Sequence, residues 1–261
     1  HDGATVYLHD MSAGEALDVG GTLATRGLDL AGNAAVAIQA GGTVTVTDGL
    51  AMDADTSVQL DGVLNTASAS LALNGGSIQG NGELVCGSAG ADLGGGTIAG
   101  DSAGDTLDVY GNISGSGSLY HLVHHGDVHV GSSPGHQTWG DVTLGDATTT
   151  SMDIAGTDNS GAEPEYSYIT LVSDCTLDGD LVVDWYGGFT AAYGDAFLLL
   201  ENPAYINGQF DSVALPELDE GLSWDDADLY STGTISVVPE PATMGLLAVG
   251  AVALLRRRRR S

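Results

Sequence analysis

The sequence contains no lysine, and its arginines stand almost entirely in one place. Five of the six arginines lie at the C-terminus, so residues 1–237 carry one cation, Arg26, against 34 acidic residues, a formal charge of −33. Proteins that bind nucleic acids contact the phosphates with lysine and arginine. Nucleic acid is therefore excluded as a partner, and polyanionic sugars are disfavoured for the same reason. Divalent cations and neutral glycans stay open as ligands.

Aromatic residues are also scarce, at 6% of the chain, whereas glycine supplies 40 of the 261 residues. Valine, threonine and leucine interrupted by glycine, serine and aspartate are typical of many short strands joined by tight turns. Apolar residues reach 43% and occur in regular patches, which excludes a disordered chain.

Signatures of catalysis are missing as well. The sequence has no His-Glu-x-x-His and no Cys-x-x-Cys motif. A lyase acting on acidic glycans would need basic side chains, and Arg26 is isolated. A glycosidase needs two carboxylates at a set separation, but among 34 acids such a pair arises by chance. We therefore expect a protein that is not an enzyme and that has no catalytic residues.

A glycine-led motif recurs along the first half of the chain. Glycine, a polar or small residue and an aliphatic residue follow one another at six places, separated by 21, 20, 20, 14 and 21 residues: Gly21-Thr22-Leu23, Gly42-Thr43-Val44, Gly62-Val63-Leu64, Gly82-Glu83-Leu84, Gly96-Thr97-Ile98 and Gly117-Ser118-Leu119. A period near 20 with short alternating strands predicts an all-β, right-handed parallel β-helix, that is, a β-solenoid, over residues 1–132. A β-sandwich is the alternative, because the 14-residue step weakens the repeat.

Candidate metal ligands occur in two kinds of segment, one rich in histidine and the other in aspartate. Five histidines, His121, His124, His125, His129 and His136, crowd residues 119–136, and on a strand His121, Val123 and His125 would share a face. With His129 or Asp127 they could hold zinc or copper, but a solvated polar turn is favoured. Calcium could bind Asp53, Asp55 and Asp61, or Asp178 and Asp180, although neither group has EF-hand spacing. We expect no metal or cofactor, with calcium as the open alternative.

Cysteine is almost absent, with only Cys86 and Cys175. Export would place both in an oxidising compartment, where one disulfide could form. The alternative is two small buried apolar residues.

The last part of the body, residues 133–237, contains most of the larger aromatic residues. We interpret Trp185, Phe189, Phe197, Phe210, Trp224 and Tyr230 as a cap on the end of the coil stack, with a sugar-stacking platform as the alternative. The segment also carries Ser133-Pro134-Gly135-His136, Gly188-Phe189-Thr190, Gly208-Gln209-Phe210-Asp211 and a Trp…Leu-Tyr…Gly ending. In these motifs it resembles the C-terminal part of autotransporter-like β-helix proteins.

The tail, residues 238–261, has three parts in a fixed order. Pro239, Glu240 and Pro241 come first, and the prolines are expected to end the preceding strand. A 14-residue apolar run follows, predicted to form a short helix. It includes Ala242, Met244, Leu246, Leu247, Val249, Val252, Leu254 and Leu255. Arg256, Arg257, Arg258, Arg259 and Arg260 close it as a positive stop at the cytoplasmic side of a membrane. Such a helix would be about 21 Å long, shorter than the hydrocarbon core of about 30 Å, which suits a transient membrane segment.

This order resembles the PEP-CTERM sorting signal of Gram-negative bacteria over Val238 to Arg260. The resemblance implies that an exosortase in the inner membrane recognises the signal and removes the tail during export. It further implies a destination at the cell surface, the outer membrane or an exopolysaccharide matrix. Because the chain begins at His1, we expect that an N-terminal signal peptide preceded it.

Taken together, these features predict an exported, acidic, non-enzymatic structural protein that contacts exopolysaccharide or other surface components. A glycan-binding adhesin and a carbohydrate-active enzyme on the same β-helix are the alternatives.

Overall fold

The computed structural model describes Met11 and residues 14–161 and 164–240. These residues form 24 strands and one short 3-10 turn at Pro203–Tyr205. The first 18 strands are β1 (Ala16–Val19), β2 (Thr22–Leu30), β3 (Ala35–Ile38), β4 (Thr43–Met52), β5 (Ser57–Leu60), β6 (Val63–Asn65), β7 (Ser70–Ala72), β8 (Ser77–Gln79), β9 (Glu83–Asp92), β10 (Thr97–Ala99), β11 (Leu107–Ser114), β12 (Gly117–His125), β13 (Val128–His129), β14 (His136–Leu144), β15 (Thr149–Ile154), β16 (Tyr168–Leu171), β17 (Cys175–Leu177) and β18 (Asp180–Trp185). The others are β19 (Ala196–Leu198), β20 (Leu200–Glu201), β21 (Ile206–Gly208), β22 (Ser212–Ala214), β23 (Leu222–Asp225) and β24 (Thr234–Pro239).

Strands β1–β18 and β20–β22 belong to one sheet whose strand pairs are all parallel, and the pairs fall into three ladders. The first ladder runs through β1, β3, β5, β8, β10, β12, β14, β16 and β20. The second runs through β2, β4, β6, β9, β11, β12, β14, β17 and β21. The third runs through β2, β4, β7, β9, β11, β13, β15, β18 and β22. The all-β prediction is confirmed, and parallel pairing differs from the antiparallel sheets of a β-sandwich.

One circuit of the three ladders takes about 20 residues in the first half of the chain. In the first ladder Ser57 pairs with Ser77, and Ser77 with Thr97, so both steps are 20 residues. Later circuits are longer: Thr138 pairs with Thr170, and Thr170 with Glu201. The additional residues lie in the connections that follow β15 and β18, which leaves the strand register intact.

The core lies between the ladders and is built from columns of aliphatic side chains. Alternate residues of each strand point inward, as in β4, where Val44, Val46, Leu50 and Met52 are buried. Parallel pairing in register places inward-facing side chains of successive circuits on top of one another. In the first ladder this column consists of Val36, Val58, Ile78, Ile98, Leu119 and Trp139. This repeated burial is the main contribution to the stability of the fold.

The irregular step in the glycine motif has a structural explanation. The segments starting at Gly21, Gly42, Gly62 and Gly82 open strands of the second ladder, whereas those at Gly96 and Gly117 open strands of the first. The true counterpart of Gly96 one circuit earlier is Gly76, just before β8. The 14-residue step therefore marks a change of ladder, and the circuit length does not change there.

Glycine stands at these positions because the chain passes too close to the previous circuit for a side chain. A Cβ on Gly96 would lie 2.6 Å from the carbonyl oxygen of Gly76, and a Cβ on Gly117 2.5 Å from that of Gly96. Gly62 and Gly82 meet the carbonyl oxygens of Gly42 and Gly62 in the same way. None of these glycines has a positive φ, so glycine is required here by the close approach of the neighbouring backbone and not by a left-handed backbone conformation.

Strands β19, β24 and β23 form a separate antiparallel sheet with β24 in the centre. Its aromatic side chains pack on one another: the ring of Phe197 lies 5.9 Å from Trp224 and 6.5 Å from Phe189, and Trp185 of β18 lies 5.8 Å from Trp224. The hydroxyl of Tyr230 accepts a hydrogen bond from the backbone N–H of Phe210 at 3.1 Å. The aromatic residues thus join the small sheet to the last circuits, and we call this unit the cap.

The two cysteines are free and buried. Both lie along the second ladder, Cys86 in β9 and Cys175 in β17, and the ladder passes through β11, β12 and β14 between them. At about 4.8 Å per strand their backbones are separated by about 19 Å, whereas a disulfide needs Cα atoms within about 7 Å. The disulfide left open by the sequence is therefore wrong for this fold. Burial raises the pKa of Cys86 to about 12 and that of Cys175 to about 11, so neither is a reactive thiolate.

Candidate functional site

The start of the predicted sorting tail is part of the cap. Strand β24 ends at Pro239, which pairs with Leu222 of β23, and the backbone N–H of Glu240 donates to the carbonyl of Gly221 at 3.0 Å. Val237 is fully buried, whereas Glu240 is exposed. Pro241, the predicted helix from Ala242 to Leu255 and the cluster Arg256 to Arg260 lie outside the described residues. Within the described part of the chain, no helix has the length and apolarity needed to cross a membrane.

The histidines of residues 119–136 do not converge on one point. Three of them face a carboxylate on a neighbouring circuit: His121 lies 2.9 Å from Asp141, His125 3.8 Å from Asp108 and His129 2.9 Å from Asp153. The contact of His121 has the distance but not the geometry of a hydrogen bond. Where the structure is described, no three His, Cys, Asp or Glu side chains are grouped closely enough to hold a metal ion.

The predicted common face of His121, Val123 and His125 is only partly present. His121 has a left-handed backbone, with φ of 50°, and it stands between the parts of β12 that join the first and second ladders. Its imidazole reaches Asp141 at the corner, whereas His125 stacks on Tyr110 in the second ladder with the rings 4.7 Å apart. The corner separates the two imidazoles, so they have different partners.

A group of polar side chains surrounds His129 on the third ladder. Its Nε2 lies 2.9 Å from Oδ2 of Asp153 and 3.2 Å from Oγ of Ser133. A serine–histidine–aspartate triad needs the two partners on different ring nitrogens, so that one proton can be passed from serine to the ring. Here both contacts fall on the same nitrogen. The group therefore anchors circuits to one another and lacks the arrangement of a nucleophilic site.

Beside this group, a groove of about 380 Å³ crosses the third ladder over four successive circuits. Polar side chains dominate its lining, among them Asn112, Ser114, Asp127, His129 and Ser151. Amide and hydroxyl groups of this kind could hydrogen-bond a neutral polyol. The groove holds one charged carboxylate, Asp127, whose Oδ1 already accepts from the backbone N–H of Thr149 at 3.3 Å.

On the first ladder, His136 stacks on Tyr168 with ring centroids 4.3 Å apart. Its Nε2 lies 2.9 Å from the Thr170 hydroxyl, which donates to Glu201 at 2.6 Å. Burial is the larger influence on His136 and lowers its pKa, against the attraction of Glu201. This chain of contacts connects β14, β16 and β20 and therefore joins three circuits.

Sequence reasoning missed a set of buried polar residues in the same circuits. Gln137 is fully buried, donates to the carbonyl of Gly115 at 2.8 Å and accepts from the indole of Trp139 at 2.9 Å. The Ser167 hydroxyl donates to the carbonyl of Val130 at 2.9 Å and accepts from the backbone N–H of Asp153 at 3.1 Å. These bonds satisfy backbone groups where the turn at residues 131–135 and the longer circuits interrupt the ladders. Only the polar character of Gln137 within an alternating strand could have signalled them.

Among the histidines that the structure describes, His124 is the one that points into the core. It is fully buried, its Nδ1 has no hydrogen-bond partner, and burial lowers its pKa from 6.5 to about 4. The folded protein therefore holds this ring neutral down to about pH 4, whereas the unfolded chain takes up the proton below pH 6.5. The stability that depends on this group is fully present above pH 6.5 and is lost as the pH falls towards 4.

We expect His124→Leu to remove this part of the acid sensitivity. Between pH 7 and pH 4 the wild type should lose about 3 kcal/mol relative to the variant, measured by urea unfolding at several pH values. His125→Gln, which changes an exposed imidazole, serves as the control and should follow the wild-type profile. Parallel pH profiles for wild type and His124→Leu would contradict the assignment.

Three of the calcium candidates accept hydrogen bonds within the protein. Asp61 accepts from the Gln59 amide at 2.8 Å, Asp178 from the backbone N–H of Gly179 at 2.9 Å, and Asp180 of β18 from Ser212 of β22 at 2.5 Å. Among the described residues, none of the candidate aspartates belongs to a group of three acidic, His or Cys side chains that could hold a metal ion.

The parallel ladders and the antiparallel cap together define an all-β protein. Residues 237–260 match the model of the PEP-CTERM protein-sorting motif, which confirms the resemblance seen in Val238 to Arg260. The motif indicates an exported protein that is targeted to an exosortase on the cell-surface sorting route of Gram-negative bacteria. Comparison of the chain with curated proteins and with solved structures finds no match.

Proposed function

We propose that this chain is a non-enzymatic structural protein of the bacterial surface or exopolysaccharide matrix, delivered by export and released by exosortase cleavage of its tail. The observation that carries the proposal is the sorting motif at residues 237–260, which begins in the cap that follows a body of stacked parallel strands. In this proposal the motif directs the export of the chain, and the body is the structural part that is exported.

The body is proposed to be a right-handed β-solenoid. Three ladders with equal numbers of steps, aliphatic columns in the core and glycine columns at the corners all support this interpretation. Residues 1–132 would be the regular repeats, 133–237 the longer circuits with the cap, and 238–261 the sorting tail. A stack of this kind is a stiff rod, since each circuit contacts only its neighbours.

The chemistry of the surface supports a structural role. The His129 group has no triad geometry, and the indole N–H groups of Trp185 and Trp224 donate to the carbonyls of Glu217 and Pro216 at 3.0 and 2.8 Å within the cap. Both tryptophans are thus used internally, which favours the cap over a sugar-stacking platform. The acidic body favours contacts with neutral exopolysaccharide or with divalent counterions.

A glycan-binding adhesin is the second candidate, and the polar groove beside His129 is the observation that favours it. A glycan array with and without calcium separates the two roles. Specific binding that is lost in Asn112→Ala and retained in Asn65→Ala, a change of the same residue type in the second ladder, would favour the adhesin.

Mass spectrometry of the mature protein tests the main proposal. The chain would be recovered from the surface fraction of its own host, and from the same host lacking its exosortase. We expect the tail with Arg256–Arg260 to be absent in the first sample and present in the second. A surface protein that keeps its arginines in both would contradict the proposal.

A further inference from the structure

The first residues of the sorting motif have a structural role in the cap. The match begins at residue 237, and Val237 is buried between two neighbouring strands. Its N–H donates to the carbonyl of Asp195 at 2.9 Å, its carbonyl accepts from Gly194 at 3.0 Å, and it pairs with Trp224 on the other side. Val238 and Pro239 pair with Ser223 and Leu222. The sorting motif and the folded body therefore overlap by four residues, 237–240.

This overlap restricts where the chain can be cut. A peptide bond enters the active site of a protease or transpeptidase as an extended, unpaired segment. A cut within β24 would require this strand, the central one of the cap sheet, to separate from both β19 and β23. Val237 would also have to leave the core. The N–H bond of Glu240 to Gly221 is the last contact of this strand that the structure describes, so a cut beyond Glu240 would break none of the described pairings of the cap.

We propose that the bond cut during sorting lies on the C-terminal side of Glu240, so that the mature protein keeps the whole of β24. This inference rests on the proposed exosortase processing and adds its position. In the step, the scissile C–N amide bond breaks and its carbonyl carbon bonds to the oxygen of water or to the nitrogen of an amine. The amine released with the tail takes up the proton.

A cut on the C-terminal side of Glu240 leaves the cap complete. Strand β24 is the centre of the small sheet, so a cut within it would leave β23 with fewer partners, and a cut before Ile235 would remove the residues that pair with Phe197 and Trp224. A cut beyond Glu240 removes the tail and leaves in place every pairing of the cap among the described residues. Release from the membrane and integrity of the rod are then compatible.

The C-terminal peptide of the mature protein, sequenced by mass spectrometry from the native host, tests the position. We expect it to end at Glu240 or later. An end at or before Pro239 overturns this inference but leaves exosortase processing standing. A tail that is intact through Arg260 overturns both.

A pair of variants tests whether the pairing of β24 with its neighbours determines the position of the cut. Trp224→Ala removes the indole that packs against Phe197 and Trp185 and loosens β23 from β24. We expect ragged C-termini that include ends within Thr234–Pro239, and faster hydrogen exchange at the Val237 amide of the unprocessed chain. Tyr193→Ala changes a side chain that is 69% exposed and should keep the wild-type end. Identical termini and exchange rates in Trp224→Ala and Tyr193→Ala would overturn the inference.

Discussion

Replacing Gly62 with alanine is expected to lower the free energy of unfolding by about 4 kcal/mol, because the new methyl group has no space. A Cβ at this position would overlap the carbonyl oxygens of Gly42 and Gln39 and would lie 3.0 Å from Cγ2 of Ile38. The first two are backbone atoms held by the parallel ladder, for the N–H of Val63 donates to Gly42 at 2.9 Å. The circuits would have to separate, and the aliphatic columns on both sides would lose contact.

Gly104→Ala is the matched control for this prediction. Gly104 is exposed, has no positive φ, and a Cβ there would meet nothing within 4 Å. We expect it to change stability by less than about 0.5 kcal/mol. Thermal and urea unfolding followed by circular dichroism at the β-sheet band measure both variants. Equal stability of Gly62→Ala and Gly104→Ala would show that the circuits are not in close contact at this corner.

Replacing Phe197 with alanine is expected to cost about 4 kcal/mol, since a fully buried ring would be deleted from the centre of the cap. Phe197 contacts Tyr166 edge-on at 5.4 Å and also lies against Phe189 and Trp224. Its strand, β19, pairs with β24 through Phe197 and Ile235. The ring therefore connects the small sheet to the body, and the cavity cannot collapse without moving both.

The loss should be visible in two measurements. Near-ultraviolet circular dichroism reports the packing of the aromatic side chains and should fall at a lower temperature than the sheet signal. Light scattering should rise, because loosening the cap uncovers the edges of β20, β21 and β22, the last strands of the three ladders. Tyr193→Ala, in the same cap but exposed, should change neither signal. If the cap and the body of Phe197→Ala unfolded at the same temperature and light scattering did not rise, the prediction that the cap loosens before the body would be contradicted.

Much of the body could be predicted from the sequence because its physical requirements are local. Glycine directly before a short strand, and alternation of aliphatic with polar residues, are visible within one circuit of about 20 residues, as in Gly62-Val63-Leu64. The aromatic residues of the cap could be predicted for the same reason, since they are concentrated in a chain that otherwise has few. The 14-residue step looks like an irregular repeat in the sequence because the same motif opens strands in two different ladders.

The contacts of the histidines could not be predicted in this way. His129 finds Asp153, 24 positions later, and His125 finds Asp108, 17 positions earlier, so the partners depend on the register between circuits. That register is set by backbone pairing over whole ladders, and after β14 the circuits lengthen by an amount that the motif spacing does not reveal. The left-handed backbone at His121, which separates it from His125, has no sequence signal of its own.

Two properties of this protein were determined by the sequence alone: the route, through a proline–glutamate–proline triplet, an apolar run and five arginines, and the acidity, through a body with one cation. Both are properties of composition and of neighbouring residues, which folding does not change. Only the tertiary structure decided that the two cysteines are far apart, that three histidines each face a separate carboxylate, and that the sorting motif begins inside the cap. Each of these depends on which circuits lie next to each other, and this is fixed by the hydrogen bonds between strands that are distant in the sequence.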